Sequence, residues 1–298
     1  MDGQQVLELS STQYETVYNL LSLAIASLGF TGLYLVLSQR RVLPRYRNAV
    51  VVSAMVVFIA TYHYIRIFNN FEESYETTAQ GGQGVYVLTN VVFNEGYRYV
   101  DWLLTVPLLL VETVAVLALA AAVQRGLLFK LVPASALMIV LGYPGEISAD
   151  TGTRLLWGTL STIPFLYILY VLFVELTASM ERQPADVRST VGKLRIMLIG
   201  LWGVYPIAYL FPVLGFEGSI AFVLKQAGYT FADILAKAAF GLVIYKIARL
   251  KSQYDDPTFA PGDGPADDVA SEPRSAAEHG SRSVPGLGTD GREVAPAR

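Results

Sequence analysis

Seven long apolar stretches constrain this chain more than any other feature of its sequence. They lie at residues 14–38, 48–69, 97–120, 127–146, 154–175, 193–214 and 220–249. About 20 apolar residues in an α-helix cross the roughly 30 Å of hydrocarbon in a bilayer, whereas strands of a membrane barrel are only about 9–11 residues long. Backbone groups in lipid must also be hydrogen-bonded within the chain. The pattern therefore predicts an all-α bundle of seven transmembrane helices, placed in the lipid bilayer of the plasma membrane.

The composition agrees with a membrane protein and excludes several kinds of site. Of the 298 residues, 53% are hydrophobic and 16% are charged, whereas soluble domains carry about 25% charged residues. The net charge of −3 leaves no basic face for nucleic acid. There is no Cys, and the only two histidines are His63 and His279. Disulfides, thiolate chemistry and Cys-rich or His-rich metal sites are therefore excluded, and we expect no metal.

The distribution of Lys and Arg among the loops sets the orientation. Basic residues cluster after the first, third and fifth stretches and at the end of the seventh, whereas the N-terminus and the loop 70–96 are acidic. Because basic loops stay on the cytoplasmic side, the N-terminus is predicted outside and the C-terminus inside. We divide the chain into an extracellular segment 1–13, a membrane domain 14–251 and a polar tail 252–298, whose composition predicts disorder.

The loop 70–96 also carries a strand signal on the outer side. The sequence GGQG is followed by Val-Tyr-Val-Leu at residues 85–88. Glycine beside a short β-branched and aromatic run is typical of a hairpin. We therefore predict a short β-hairpin over the outer face of the bundle.

Ionisable side chains inside the predicted spans are the strongest functional signal, because each costs several kcal/mol in a membrane. They are His63, Arg98, Asp101, Glu112, Asp233 and Lys237. Asp101 and Glu112 are 11 positions apart, or about 1100° of helix, so both lie on one face roughly 16 Å apart. Thr105 shares that face, and Asp233 and Lys237 are i,i+4 neighbours. The pattern predicts a line of protonatable groups along the membrane normal. Charges that only hold the bundle together are the alternative.

The segments that carry these charges resemble those of a known family. RYVDWLLTVPLLLVE at 98–112 and DILAKAAFG at 233–241 resemble the microbial rhodopsins, above all the xanthorhodopsin-like proton pumps beside the proteorhodopsins, and the resemblance covers residues 14–251. It implies that Lys237 binds all-trans retinal as a protonated Schiff base with Asp101 and Asp233 as counterions. Asp101 would then be the proton acceptor, with Thr105 hydrogen-bonded near it. Glu112 would be the cytoplasmic proton donor, with Ser53 as a candidate partner.

The same resemblance assigns further roles. His63 resembles the histidine that pairs with the acceptor aspartate, and Arg98 resembles the arginine that assists proton release outward. Only Glu217 lies in the last outer loop, so no release pair can be assigned. Leu109 matches a position that carries Leu in green-absorbing relatives, which predicts green absorption. The implied retinal-lining residues are Trp102, Leu109, Met138, Gly142, Ser161, Thr162, Phe165, Trp202, Tyr205, Pro206 and Tyr209.

Gly158 has two interpretations. A small residue lets helices approach closely. The resemblance to xanthorhodopsin-like pumps implies instead a window for a carotenoid antenna. The family resemblance further implies a homo-oligomer, a trimer or a pentamer, and we expect no obligatory protein partner.

The function predicted from these residues is light-driven outward proton pumping, and thus an ion transporter rather than an enzyme. Asp, Thr and Glu at positions 101, 105 and 112 form the combination that marks outward proton pumps in the family. Three alternatives stay open. They are a photosensory rhodopsin that signals to a transducer, a light-driven sodium pump, and a seven-helix receptor or transporter without retinal.

Overall fold

Helices dominate the computed structural model, which describes residues 6–78, 84–181, 184–216 and 218–256. The first six helices are α1 Ser11–Ser38, α2 Pro44–Ser74, α3 Gly96–Leu117, α4 Ala121–Glu146, α5 Thr151–Met180 and α6 Ala185–Tyr209. The seventh consists of α7 Gly218–Asp233, a π-helical segment Ile234–Ala239 and α8 Phe240–Asp255. The predicted fold class, a bundle of seven helices, is confirmed.

Six helices in the described part of the chain are long and apolar enough to cross a membrane, and they correspond to α1 to α6. The seventh differs because its π-helical segment divides it into two α-helical pieces of 16 residues each. Neither piece alone has the roughly 20 residues that cross the hydrocarbon. The two pieces and the segment between them run without a break from Gly218 to Asp255, which is long enough.

Neighbouring helices in the sequence pack side by side, from α1 against α2 through to α6 against α7. The seventh helix also packs against α1, α2 and α3, so it closes the ring. Its π-helical segment contacts α1, α2 and α6. Single π turns inside α-helices are rare and frequently occur at functional sites, so this segment is a candidate part of such a site.

Several helix ends differ from the predicted spans. Helix α1 begins at Ser11 rather than residue 14, because Ser10 and Gln13 form a reciprocal capping box. Helix α3 ends at Leu117 rather than residue 120, where Ala118 takes a left-handed conformation with φ of 51°. Helix α6 begins at Ala185 and ends at Tyr209 instead of covering 193–214. The length of an apolar stretch reflects the thickness of the hydrocarbon that it crosses. The ends of a helix are instead set by its backbone hydrogen bonds and caps.

A small sheet lies at the outer end of the bundle. Strands β2 (Tyr75–Thr77) and β3 (Val85–Leu88) pair antiparallel, which confirms the predicted hairpin. Strand β1 (Glu8–Ser10), which the sequence analysis did not predict, pairs with the other edge of β3. The ring of Tyr14 stacks on Tyr86 with centroids 3.8 Å apart. The N-terminal segment is therefore attached to the loop between α2 and α3.

Some predictions fall on residues outside those that the structure describes. They include residues 1–5 of the extracellular segment, 79–83 of the hairpin loop, Glu217, and the tail from residue 257, which contains His279. The predicted three-part division of the chain and the disorder of its tail stay predictions.

Candidate functional site

The amine of Lys237 lies in the π-helical segment, buried at the centre of the bundle. Its Nζ contacts Oδ2 of Asp101 on α3, and it lies 2.9 Å from Oδ1 of Asp233, one turn earlier on the seventh helix. Both carboxylates are almost completely buried. A buried charge is stable only when it is paired. The sequence analysis placed these three residues together, and the structure brings their charged atoms into contact.

The two carboxylates differ in how they are held. Oδ1 of Asp233 accepts hydrogen bonds from the indole of Trp102 at 3.1 Å and from the hydroxyl of Tyr205 at 2.7 Å. Its Oδ2 accepts one from the hydroxyl of Tyr64 at 2.8 Å. By contrast, Oδ1 of Asp101 is buried and has no hydrogen-bond partner among the described residues. Three side chains therefore hold the carboxylate of Asp233 by hydrogen bonds, whereas one oxygen of Asp101 has none from the described residues.

His63 lies beside Asp101 without bonding it directly. Its Nδ1 is 3.8 Å from Oδ1 of Asp101 and 2.9 Å from the carbonyl of Ile59. The first distance suits an ion pair if the ring is protonated, and the second is a hydrogen bond. Thr105 donates to the backbone carbonyl of Asp101 at 2.8 Å rather than to its carboxylate. Both residues are near the predicted acceptor, and their roles stay predictions.

Arg98 lies on the outer side of this centre and is buried. Its NH1 donates to the hydroxyl of Tyr64 at 2.8 Å and lies 3.9 Å from Oδ2 of Asp233. Its NH2 donates to the amide oxygen of Gln226 at 2.7 Å. The rings of Tyr64 and Tyr229 lie within 5.2 and 5.7 Å of the guanidinium carbon, which are cation–π distances. Arg98 thus links Asp233 to groups nearer the outside.

Glu112 lies farther along α3 and is fully buried. Neither of its carboxyl oxygens has a hydrogen-bond partner in the described part of the chain. Ser53 is close to this carboxyl, but its hydroxyl donates to the carbonyl of Ala49 at 3.1 Å. The predicted Ser53–Glu112 pairing stays a prediction. An unpaired buried carboxyl is far less costly neutral than charged, so Glu112 has the environment of a group that stores a proton.

A cavity of about 490 Å³ begins at Lys237 and extends between α3, α4, α5 and α6. Every residue that the sequence analysis assigned to retinal contact, and Gly158 with them, lines this cavity. Tyr99, Val106, Ile139 and Tyr229 also line it and were not predicted. Ligand pockets are typically about 300–1,000 Å³ and mostly apolar. A long apolar chain that ends in an aldehyde needs such a cavity with an amine at its end, so the residues present fit retinal.

Gly158 lies on the part of α5 where the cavity reaches the lateral surface of the bundle. A Cβ at this position would lie 2.7 Å from Cε1 of Tyr209, so glycine is needed for that ring to lie against the helix. The cavity continues along Leu155, Ile163 and Leu166, whose side chains are exposed on the bundle surface. Gly158 therefore both allows the ring of Tyr209 to pack against α5 and lines the part of the cavity that reaches the exposed surface.

Comparison with known protein families shows to which family the chain belongs. The family described as bacteriorhodopsin-like protein matches residues 15–250, which include all seven helices from Glu15 of α1 onward. The chain belongs to this family of microbial rhodopsins. Membership makes it a multi-pass membrane protein of a family whose chromophore is retinal.

Individual relatives agree with this assignment. Bacteriorhodopsin of Halobacterium salinarum is 34% identical over 171 residues, or 57% of this rhodopsin, and the chain spans only 63% of that relative's length. Green-light absorbing proteorhodopsin of Gamma-proteobacterium EBAC31A08 is 30% identical over 236 residues, covering 77% of this chain and 85% of that one.

Two solved structures are similar in fold. The crystallographic structure of xanthorhodopsin, described as a light-driven ion pump with dual chromophore, is 46% identical with a TM-score of 0.79, covering 84% of this rhodopsin and 99% of that chain. The crystal structure of a thermophilic rhodopsin is 45% identical with a TM-score of 0.79, covering 85% and 100%.

Several polar residues of the rhodopsin site were missed from the sequence. Tyr64 bonds both Asp233 and Arg98, and Gln226 bonds Arg98. Gln226 and Thr230 precede Asp233 and Lys237 at spacings of four, three and four residues, which place all four on one helix face. That spacing could have indicated them. Tyr64 carries no comparable signal, because its partners lie on other helices.

Proposed function

We propose that this rhodopsin is a light-driven outward proton pump in which Lys237 carries all-trans retinal as a protonated Schiff base. The proposal rests on one observation above all: a buried amine contacts one carboxylate held by three donors and another with a free oxygen. The mostly apolar cavity that Lys237 helps to line, whose volume of about 490 Å³ is in the range of ligand pockets, supports it. So does the similarity to a structure described as a light-driven ion pump.

When bound, retinal supplies a light-driven isomerisation that changes the direction and proton affinity of the Lys237 nitrogen. Asp101 takes the proton from that nitrogen, because its Oδ2 is already in contact with Nζ and its Oδ1 is unbonded. Asp233 stays ionised, because Trp102, Tyr205 and Tyr64 stabilise its charge. Asp101 is therefore the proton acceptor, and Asp233 is the counterion that stays ionised.

The two ends of the pathway follow from the positions of Arg98 and Glu112. After Asp101 has taken the proton, Asp233 is the remaining anion. The guanidinium of Arg98, which lies 3.9 Å from Oδ2 of Asp233 and donates to Gln226 on the outer side, shifts and helps release a proton to the outside. Glu112 returns a proton to the Lys237 nitrogen from the cytoplasmic side, where it is buried without a hydrogen-bond donor. Glu112 is roughly 16 Å along the helix from Asp101. Net transport in one direction requires the outer and cytoplasmic half-channels to open at different times.

The deciding experiment is the light-induced pH change of a suspension of cells that express the protein with retinal. We expect acidification of the medium that a protonophore abolishes. Alkalinisation that grows with a protonophore would instead identify a sodium pump. No pH change together with a photocycle lasting seconds would identify a photosensor. The lack of a visible absorption band would overturn the role of retinal.

We further propose that a carotenoid can lie against Gly158 and pass excitation energy to retinal. The cavity at Gly158 continues along exposed side chains of α5, and the xanthorhodopsin structure is described as having a dual chromophore. We also propose a trimer or pentamer in the bilayer, which rests on the family resemblance. Light scattering of the purified protein, which gives its mass, tests the oligomer.

A further inference from the structure

A second buried cluster of charges lies toward the outer end of the bundle, separate from Lys237. Its centre is Lys225 on α7, whose Nζ lies 3.0 Å from Oε1 of Glu95 and 2.9 Å from Oε1 of Glu146. Glu95 directly precedes α3 and Glu146 is the last residue of α4. Three helices therefore meet at one ammonium group shared by two carboxylates.

The two carboxylates are not equally satisfied. Glu146 is fully buried, and its other oxygen accepts a hydrogen bond from Tyr229 at 3.0 Å. Arg154 adds a second cation nearby and donates to the backbone carbonyl of Glu146 at 2.8 Å. Oε2 of Glu95, by contrast, is buried and has no hydrogen-bond partner within the described ranges. The carboxylate of Glu146 is therefore bonded at both oxygens, whereas Glu95 has one oxygen without a hydrogen-bond partner in the described part of the chain.

One side-chain amide connects Glu95 to the site at Lys237. Gln226 donates through Nε2 to Oε1 of Glu95 at 2.9 Å, and its Oε1 accepts from NH2 of Arg98 at 2.7 Å. A displacement of Arg98 therefore changes the hydrogen bonding of Glu95 through Gln226. Further ionisable groups that face the cluster are Tyr75, Tyr99, Arg154, Tyr209 and Tyr229.

We infer that Glu95, whose Oε2 is buried, is the last carboxyl on the outward proton route, with Gln226 as the residue that couples it to Arg98. This inference rests on the proposed pump. Glu95 accepts at Oε2 a proton leaving the region of Asp101 and Arg98, which makes it neutral. Lys225 then stays paired with Glu146, so the cluster is not left with an uncompensated cation. Loss of the proton to the outer medium restores the Glu95 carboxylate and its pairing with Lys225.

The test is the timing of proton release from full-length pigment in lipid nanodiscs, measured after a flash with a pH-sensitive dye. In Glu95→Gln we expect release to occur later than in the unmodified protein by about tenfold or more. Deprotonation of the Lys237 nitrogen, followed by its visible absorption, should keep its rate. An infrared difference band of a carboxyl group should also disappear in this variant, which a merely structural role would not cause. Glu76→Gln, an exposed residue of β2, is the matched control and should change neither readout.

A second variant keeps the inference testable if Glu95→Gln does not bind retinal. Gln226→Leu retains both carboxylates and Arg98 but removes the amide link, and it should delay release in the same way. Unchanged release timing in either variant with normal colour would overturn the inference. If the unmodified protein still acidifies the medium in that case, the proposed pump function stands without a role for Glu95. If the unmodified protein does not acidify the medium, the proposed function itself is overturned.

Discussion

Asp101 and Asp233 contact the same ammonium group of Lys237, but only Asp101 has an oxygen with no hydrogen-bond partner among the residues described. Asp233 accepts hydrogen bonds from residues on α2, α3 and α6. This difference decides which carboxylate can take a proton without disrupting the bundle. It also predicts that the same substitution has different effects at the two positions.

Asp101→Asn should abolish proton transport while the protein still forms pigment. The amide cannot accept the proton, and the remaining charge of Asp233 still stabilises a cation at position 237. Flash spectroscopy should show no deprotonated state of the Lys237 nitrogen. Asp233→Asn is the comparison variant, and it should bind less retinal because three donors lose the anion they hold. Normal pumping by Asp101→Asn would contradict this division of roles.

Lys237→Ala should abolish pigment formation, because the amine at the end of the cavity is removed. Absorption after addition of all-trans retinal measures this directly. Lys246→Met, an exposed lysine of the same helix, should regenerate normally. Borohydride under light should fix the chromophore to the peptide that contains residue 237. Recovery of the label on another lysine would show that the assignment is wrong.

Glu112→Gln should leave the colour nearly unchanged, because this carboxyl is roughly 16 Å from Asp101 along the helix. Return of the proton to the Lys237 nitrogen should become about tenfold slower or more, which corresponds to about 1.4 kcal/mol in the barrier. Decay of the deprotonated state after a flash gives this rate. Glu175→Gln, near the cytoplasmic end of α5, is the control. Normal turnover of Glu112→Gln would remove Glu112 from the donor role.

Gly158→Trp should abolish energy transfer from a bound carotenoid and leave absorption by retinal intact. An indole at this position would fill the opening, and its Cβ alone would have to displace Tyr209. The action spectrum of pumping with and without added carotenoid measures the transfer. Gly200→Trp places the same side chain on α6, where a Cβ would meet nothing within 4 Å. Equal transfer in both variants would argue against the site at Gly158.

Lys251 lies two residues beyond the last apolar stretch, and the environment of its amine predicts that the unfolding free energy depends on pH. Its Nζ donates to the carbonyls of Val116 and Leu117 at the end of α3. Burial is the main cause that lowers the pKa of Lys251 to about 8. Between pH 8 and roughly 10.4, the usual value for lysine, the unfolded chain then binds more protons than the folded one. The unfolding free energy should therefore rise across this window.

Thermal bleaching of the pigment at several pH values tests this expectation. In Lys251→Met, the increase in stability to thermal bleaching between pH 8 and 10 should be smaller than in the unmodified protein. The matched control is again Lys246→Met, whose side chain is exposed on the same helix. An identical pH profile in all three proteins would mean that Lys251 does not titrate in this range.

The sequence predicted the helices and the central charges because both depend on local patterns. An apolar stretch of membrane length specifies a helix, and a spacing of 11 residues places Asp101 and Glu112 on one face. The contacts of Tyr64 and Gln226, and the cluster around Lys225, could not be predicted this way, since each joins different helices. Strand β1 has only three residues, too few for a period of two to be detectable.

The π-helical segment Ile234–Ala239 contains Lys237 and separates the two α-helical pieces of the seventh helix. Because sharp helix kinks occur at π-bulges, the direction of α8 can change there relative to α7. The cytoplasmic piece, α8, bonds the end of α3 through Lys251, and Glu112 lies just over one turn before that end. A change of kink angle at Lys237 would therefore shift α8 and, with it, the end of α3 near the Glu112 carboxyl.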